Sequence, residues 1–358
     1  MKIWLDILSP KQLFLFTSVA ERLRKLGYEP LMTSRSYVQL DGLIEGAFKG
    51  WNIVRVGRWG GGSLEGKLRA SIERMSLLLD LVLSENPSLC ISSGSPEASR
   101  IAYGLGMPHL LISDTPHSPV NKLAAPISER ILTPWVIPVA EWVRAGASRG
   151  RVKRYKALDP CFWLRGFKPD EAALRELELE KRGYILFRMP ETQAAYLSAD
   201  DEAFLKAAGK ISEDLEGLKL VISCRYREQA EKAERMLRGL SGVRILDRLF
   251  PGASITYYSA LFIGGGGTMT QEAALLGVPT ISIYPGKLPA VHEYLRRRGL
   301  IIHCGRLERL PGVVKRILGS VDDVRRKWGE RSGKLWRIME DPFDLLLREI
   351  RKLSAASS

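Results

Sequence analysis

Four consecutive glycines, Gly264 to Gly267, lie between an apolar run and a helix-forming one in LFIGGGGTMTQEAALLGVPTISIYPG, residues 261–286. Leu261-Phe262-Ile263 reads as a buried strand. Thr268 and Thr270 then open a helix through Gln271-Glu272-Ala273-Ala274-Leu275-Leu276, Gly277 stops it, and Val278-Pro279 leads into a second strand, Thr280-Ile281-Ser282-Ile283. A strand, a glycine turn and a helix N-terminus make an anion site, because glycine lets the backbone approach closely and unpaired N–H groups favour a phosphate. The spacing fits neither the dinucleotide fingerprint nor the P-loop. A turn that binds nothing would need fewer glycines.

The pattern occurs twice. Leu89 to Ser92 is a strand, Gly94-Ser95-Pro96-Glu97-Ala98 a glycine turn onto a helix, and Leu105-Gly106-Met107-Pro108 the exit to a strand at His109 to Ile112. Gly94 stands twelve residues before Gly106, as Gly265 does before Gly277, and the two units are offset by 171 residues in a chain of 358. The expectation is an α/β protein of two Rossmann-like domains, their parallel sheets facing across a cleft. The domains are expected at 1–165 and 166–340, with 341–358 an amphipathic helix that packs back on the first.

The N-terminal half reads strand, helix, strand. A strand covers Lys2 to Leu8, with Ser9-Pro10 as N-cap and first turn of a helix carrying Leu13, Phe16, Val19, Ala20, Leu23 and Leu26. Strands at Glu29 to Thr33 and Asn52 to Val56 flank a helix at Gln39 to Phe48. Arg58-Trp59-Gly60-Gly61-Gly62-Ser63 reads as a mobile entry to a long helix, Leu64 to about Leu83, capped by Ser63. Asp114 and His117 follow the strand at 109–112, at the sheet edge where ligands collect. They are the acid–base candidates of this half, although a turn aspartate and a solvated histidine fit the same pattern. Arg144 to Lys156 reads as a basic, solvated loop near the domain boundary, with contact to anionic lipid head groups the lesser alternative, Asp159 to Asp170 as the interdomain connection, and Glu171 to Lys181 as a charged helix. In the second half Arg188 and Arg225 end strands and suit a pyrophosphate through bidentate contacts. Lys287 and His292 follow another strand end.

The net charge of +14 permits anionic lipid, nucleic acid or phosphorylated substrates as partners. Its bases are spread over most helices, and nothing resembles a recognition helix, an aromatic RNA platform or a zinc finger, so nucleic acid is not expected. Cys90, Cys161, Cys224 and Cys304 are scattered without a C-x-x-C pair, which suggests a reducing cytoplasm and no disulfide or zinc site. The N-terminal MKIWLDIL has too short an apolar run for a signal peptide, and no stretch is long enough to span a membrane.

The glycine stretch resembles the nucleotide-binding loop of the GT-B superfamily, which includes glycosyltransferases and hydrolysing UDP-N-acetylglucosamine 2-epimerases. That resemblance implies that Gly266, Gly267 and Thr268 cradle phosphate, that Glu272 binds the ribose hydroxyls, and that Gly265 and Arg188 belong to the same donor site. Nearly the whole chain also resembles the uncharacterised archaeal and bacterial family DUF354 of that superfamily. The matching pieces are Ile3-Trp4-Leu5-Asp6-Ile7, Gly61-Gly62-Ser63-Leu64, Gly94-Ser95-Pro96-Glu97-Ala98, Asp114-Thr115 with His117, Phe167-Lys168-Pro169-Asp170 and Tyr284-Pro285-Gly286-Lys287. Members commonly carry two histidines in the loop after the first strand; this chain has Ser9-Pro10-Lys11-Gln12-Leu13-Phe14 there.

The resemblance implies a nucleotide-sugar-dependent glycosyltransferase that needs no metal or cofactor. Asp114, His117 or Glu97 would act at the acceptor, and Gly94, Ser95, Lys287 and His292 would line the substrate site. The acceptor is not identified; the basic surface suits a lipid-linked one on the cytoplasmic membrane face. A sugar-nucleotide 2-epimerase is the second expectation. It is weakened because Ser95 stands where epimerases carry an aspartate and Arg188-Met189 where they carry a histidine. A non-catalytic nucleotide-sugar-binding protein is the third. Oligomeric state is not legible.

Overall fold

Seven strands, β1 (Lys2–Ile7), β2 (Glu29–Ser36), β3 (Ile53–Arg58), β4 (Leu89–Ser92), β5 (His109–Ile112), β6 (Arg130–Pro134) and β7 (Val152–Tyr155), form a parallel sheet in the order β3-β2-β1-β4-β5-β6-β7. Six more, β8 (Tyr184–Arg188), β9 (Lys219–Ser223), β10 (Val243–Leu246), β11 (Leu261–Gly264), β12 (Thr280–Ser282) and β13 (Ile302–His303), form a second parallel sheet, β10-β9-β8-β11-β12-β13. This computed structural model describes residues 1–191, 201–215, 217–246 and 252–356. The chain divides into two units, Met1–Gly166 with Met339–Ser358, and Phe167–Ile338. In each sheet the order reverses between the first and fourth strands of the unit, and the glycine turn follows that fourth strand, β4 or β11. Such reversal points, at the carboxyl ends of the strands, are where open α/β sheets take ligands.

The central strands are apolar and buried along their length, as parallel strands covered on both faces require. The exception in β1 is Asp6. Arg74, reaching in from the Leu64–Glu85 helix, grips both Asp6 oxygens at 2.6 and 3.1 Å and donates to the Val56 carbonyl at 3.0 Å. Thr33 donates to Asp6 at 2.6 Å and receives the Trp4 indole N–H at 2.8 Å. Burial works to raise the Asp6 pKa, but Arg74 overcomes it and holds the carboxyl below its ordinary value. Removing one member of such a buried pair costs about 3–5 kcal/mol, because the other is left charged and unpaired.

Three local expectations are corrected. Arg144 to Lys156 is not a solvated loop: it contains a turn at Arg149–Arg151 and the edge strand β7, whose Val152 and Tyr155 face inward while Arg154 faces out. Two buried residues in a four-residue strand leave too short an alternation to read. The helix expected from Glu171 to Lys181 covers only Ala172–Glu176. The loop before the long helix owes one glycine to close packing, since a Cβ on Gly60 would lie 2.3 Å from the Gly66 carbonyl oxygen. Ser63 caps that helix by accepting from the Gly66 N–H at 3.0 Å, whereas Ser9 makes no side-chain cap.

The last helix, Pro342–Ala356, belongs to the first unit. Glu340 donates its N–H to the Lys156 carbonyl at 2.8 Å, Arg22 pairs with Asp341 at 2.9 Å, and Arg130 pairs with Glu349 at 3.1 Å.

Candidate functional site

In the second unit the glycine turn leaves β11 directly beside the end of β8, with Gly264 in register with Arg188. The four glycines have different reasons to be there. A Cβ on Gly265 would lie 2.6 Å from the Pro190 ring, and one on Gly266, at φ 88°, would lie 2.7 Å from the Tyr284 ring. Gly267 is exposed, has φ 104°, and would bring its Cβ no nearer than 4.0 Å to an Arg225 guanidinium nitrogen. It precedes the helix Thr268–Leu275, which has no side-chain cap, so the first N–H groups are offered at the open tip of the turn.

Arg188 is buried, and its described partners are neutral: the Ser223 hydroxyl at 2.7 Å and the Cys224 carbonyl at 2.8 Å. Burial, then the positive charge of Arg225, push its guanidinium down to about 9. Arginine remains charged at neutral pH, so the electrostatic cost of the pair would be relieved by an anion. Arg225 is part-exposed and lies 3.5 Å from Glu191. Glu272, the fifth residue of that helix, is buried among Thr270 to Leu275. His292 turns inward to the Gly267 carbonyl at 3.2 Å, and His303 to the Tyr284 carbonyl at 2.9 Å. Because a carbonyl only accepts, Nε2 carries the proton in both rings. Two histidines thus fix the turn and the loop beside it. His292 acts on the turn, and Lys287 is exposed.

The corresponding turn of the first unit is closed. Gly94 (φ 82°) is buried, and a Cβ there would meet the Asn121 side chain at 2.8 Å. Ser95 spends its hydroxyl capping the Pro96–Gly104 helix, accepting from Ala98 at 3.1 Å, and contacts Glu97 at 3.3 Å. Glu97 accepts from Ser71 at 2.6 Å and lies 3.7 Å from Arg74, inside the network around Asp6. These positions read as a packed support for the sheet edge.

At that edge Asp114 is joined by two residues the sequence did not single out, Lys11 and Asp159. Lys11, the second residue of the helix Pro10–Lys25 after β1, places its ammonium 2.6 Å from Asp114 after β5 and 2.6 Å from Asp159 after β7. Tyr155 donates to the other Asp159 oxygen. Burial opposes the charge on Lys11, but Asp114 and Asp159 outweigh it and raise its pKa. Asp159 moves the other way from an ordinary carboxylate: burial, then Asp114, raise it. Two carboxylates face one ammonium, so the cluster holds a firm cation between Asp114 and an Asp159 whose acidity burial and its neighbour weaken. Asp114 is therefore brought together with Lys11 and Asp159, while His117 stands exposed in the turn after it. Asp159 was hidden by the Asp159-Pro160 dipeptide, which reads as a turn. Lys11 had one signal, its place in the loop where histidines were expected.

The family model described as "Protein of unknown function (DUF354)" matches residues 1–354. The uncharacterised protein MJ0665 of Methanocaldococcus jannaschii is 26% identical over 357 residues, covering 98% of each chain. Among solved structures, UDP-GlcNAc 2-epimerase from Neisseria meningitidis bound to UDP-GlcNAc is similar at a TM-score of 0.76 and 11% identity, over 98% of this chain and 100% of that one. UDP-GlcNAc 2-epimerase from Methanocaldococcus jannaschii gives 0.64 at 14%, over 88% and 92%. The glycosyltransferase VinC in complex with dTDP gives 0.63 at 14%, over 99% and 100%. At these identities the likeness shows the fold alone, two Rossmann-like domains of the GT-B class.

Proposed function

This chain belongs to the DUF354 family, and we propose that it is a nucleotide-sugar-dependent glycosyltransferase. The observation that supports a nucleotide is the buried Arg188 in register with Gly264 and beside Arg225, next to the open Gly267 tip. Two guanidiniums and a helix N-terminus suit a diphosphate, and they would stabilise it as it departs. Glu272 would accept the ribose hydroxyls. In the first unit Asp114 would take the proton from the acceptor hydroxyl, with Lys11 holding it in place and charged. The net charge of +14 would suit a phosphorylated lipid acceptor at an anionic membrane surface; no helix among the described residues is long and apolar enough to cross a membrane.

A 2-epimerase is the second reading, and one observation favours it. Asp159, with its raised pKa, and Asp114 supply an acid and a base on one lysine, which elimination and re-addition at a sugar would use. Chromatography of UDP-, GDP- and dTDP-sugars incubated with the protein separates the readings. The transferase releases nucleoside diphosphate only when a lipid acceptor extract is added; an epimerase interconverts the sugar without one. Lys11→Met and Asp114→Asn are expected to lower turnover by about 100-fold or more while nucleotide affinity is kept. Wild-type turnover in both variants would remove the cluster from the mechanism.

A further inference from the structure

The Leu64–Glu85 helix uses one face to bury Arg74, Leu78 and Val82 and leaves another bare. Leu64, Leu68, Ile72, Leu79 and Leu83 are 79, 63, 57, 37 and 59% exposed, and half-buried Met75 completes the row. At 100° per residue these six fall within about a 100° arc, a continuous apolar stripe roughly 28 Å long. Single exposed leucines need no explanation, but a continuous stripe of them marks an interface.

The order of the stripe says what covers it. Its spacings are four, four, three, four and four residues, the same read from either end. A two-fold axis pairs a helix antiparallel with its own copy and requires just such a self-complementary row. Centred between Glu73 and Arg74, the pairing sets Leu64 against Leu83 of the partner subunit, Leu68 against Leu79 of the partner subunit, and Ile72 against Met75 of the partner subunit. Arg69 falls beside Asp80 of the partner subunit on the same flank. The charge excludes the other obvious occupant. In a chain of net charge +14, the exposed ionised groups of this helix are three acids, Glu65, Glu73 and Asp80, against two bases, Lys67 and Arg69. An anionic membrane surface would repel it.

We infer that this helix face is the interface of a two-fold homodimer, in which position 68 meets position 79 of the second copy. Sedimentation velocity of the full chain at micromolar concentration is expected to give twice the 40.1 kDa chain mass. Leu68→Lys and Leu79→Glu should each raise the dissociation constant by about 10-fold or more, since each removes two buried leucine contacts per dimer. Both positions are exposed in the single chain, so thermal melts should remain near wild type. The double variant L68K/L79E sets lysine against glutamate across the axis and should restore the dimer. A monomeric wild-type chain, or a double variant no more dimeric than the singles, overturns the inference. Flotation of a monomeric wild type, but not of L68K, with phosphatidylcholine–phosphatidylglycerol vesicles would overturn it in favour of a membrane face.

Discussion

Lys11, just after β1, and His109, in β5 of the same sheet, show how differently two basic side chains are treated there. Lys11 keeps its proton because two carboxylates surround it. Burial keeps His109 neutral, and two serine hydroxyls satisfy its ring: Nδ1 lies 2.9 Å from Ser128 Oγ, whose own proton goes to the Ala124 carbonyl at 2.7 Å, and Nε2 lies 2.8 Å from Ser92 Oγ. Ser128 therefore accepts from Nδ1–H, and the neutral ring is fully used. Burial pushes its pKa down to about 4, with Asp6 opposing weakly. The unfolded chain takes up this proton near pH 6.5 and the folded one does not until about pH 4, so the folded state is favoured above that window and loses stability as pH falls through it. The loss should reach about 3 kcal/mol by pH 4. Urea unfolding between pH 7 and pH 5 checks this: His109→Gln should flatten the slope, and an unchanged slope would assign the acid sensitivity elsewhere. Residue roles were the least legible part of the sequence. Asp114 could be picked because it follows a strand, but its partners come from positions 11, 155 and 159, and only the sheet order brings those together.

At the level of elements, the two glycine turns look alike in sequence and differ in space. Both follow the fourth strand of their unit, yet Gly94 is filled by Asn121 and Gly267 is open. Sequence could place both turns, since strand, glycine and helix signals are local; it could not show which was plugged, because Asn121 lies on a different element. The distinction is testable. Gly265→Ala drives a Cβ into Pro190 and should destabilise the second unit by about 1–3 kcal/mol. Gly267→Ala meets no neighbour and should cost only the roughly 1–3 kcal/mol of a positive-φ extended backbone that glycine alone adopts readily, yet abolish nucleotide binding by covering the tip. Calorimetric titration on the folded variants decides; a Gly267→Ala protein that binds as wild type does would move the phosphate site off this turn. The missed strand β7 shows the opposite limit, because an edge strand with two inward residues carries almost no period to detect.

For the whole molecule, what was most legible was the repetition: two parallel sheets with the same reversal of strand order, each with a glycine turn at the reversal. That organisation is a consequence of hydrophobic period and turn chemistry, which a sequence carries openly. What the sequence carries less openly is charge held against burial, and the case for function rests there, on Arg188 and Arg225 around an open turn. Their mutual repulsion predicts a dianionic ligand. Thermal denaturation of the full chain with UDP, GDP, dTDP and CMP is the most direct measurement. At a hundred times the dissociation constant, one of the diphosphates should stabilise the protein by about 2.7 kcal/mol, and Glu272→Ala should lose that gain while staying folded. If none of the four shifts the melting temperature, or Glu272→Ala is stabilised as the wild type is, the nucleotide site is not where the glycine turn puts it.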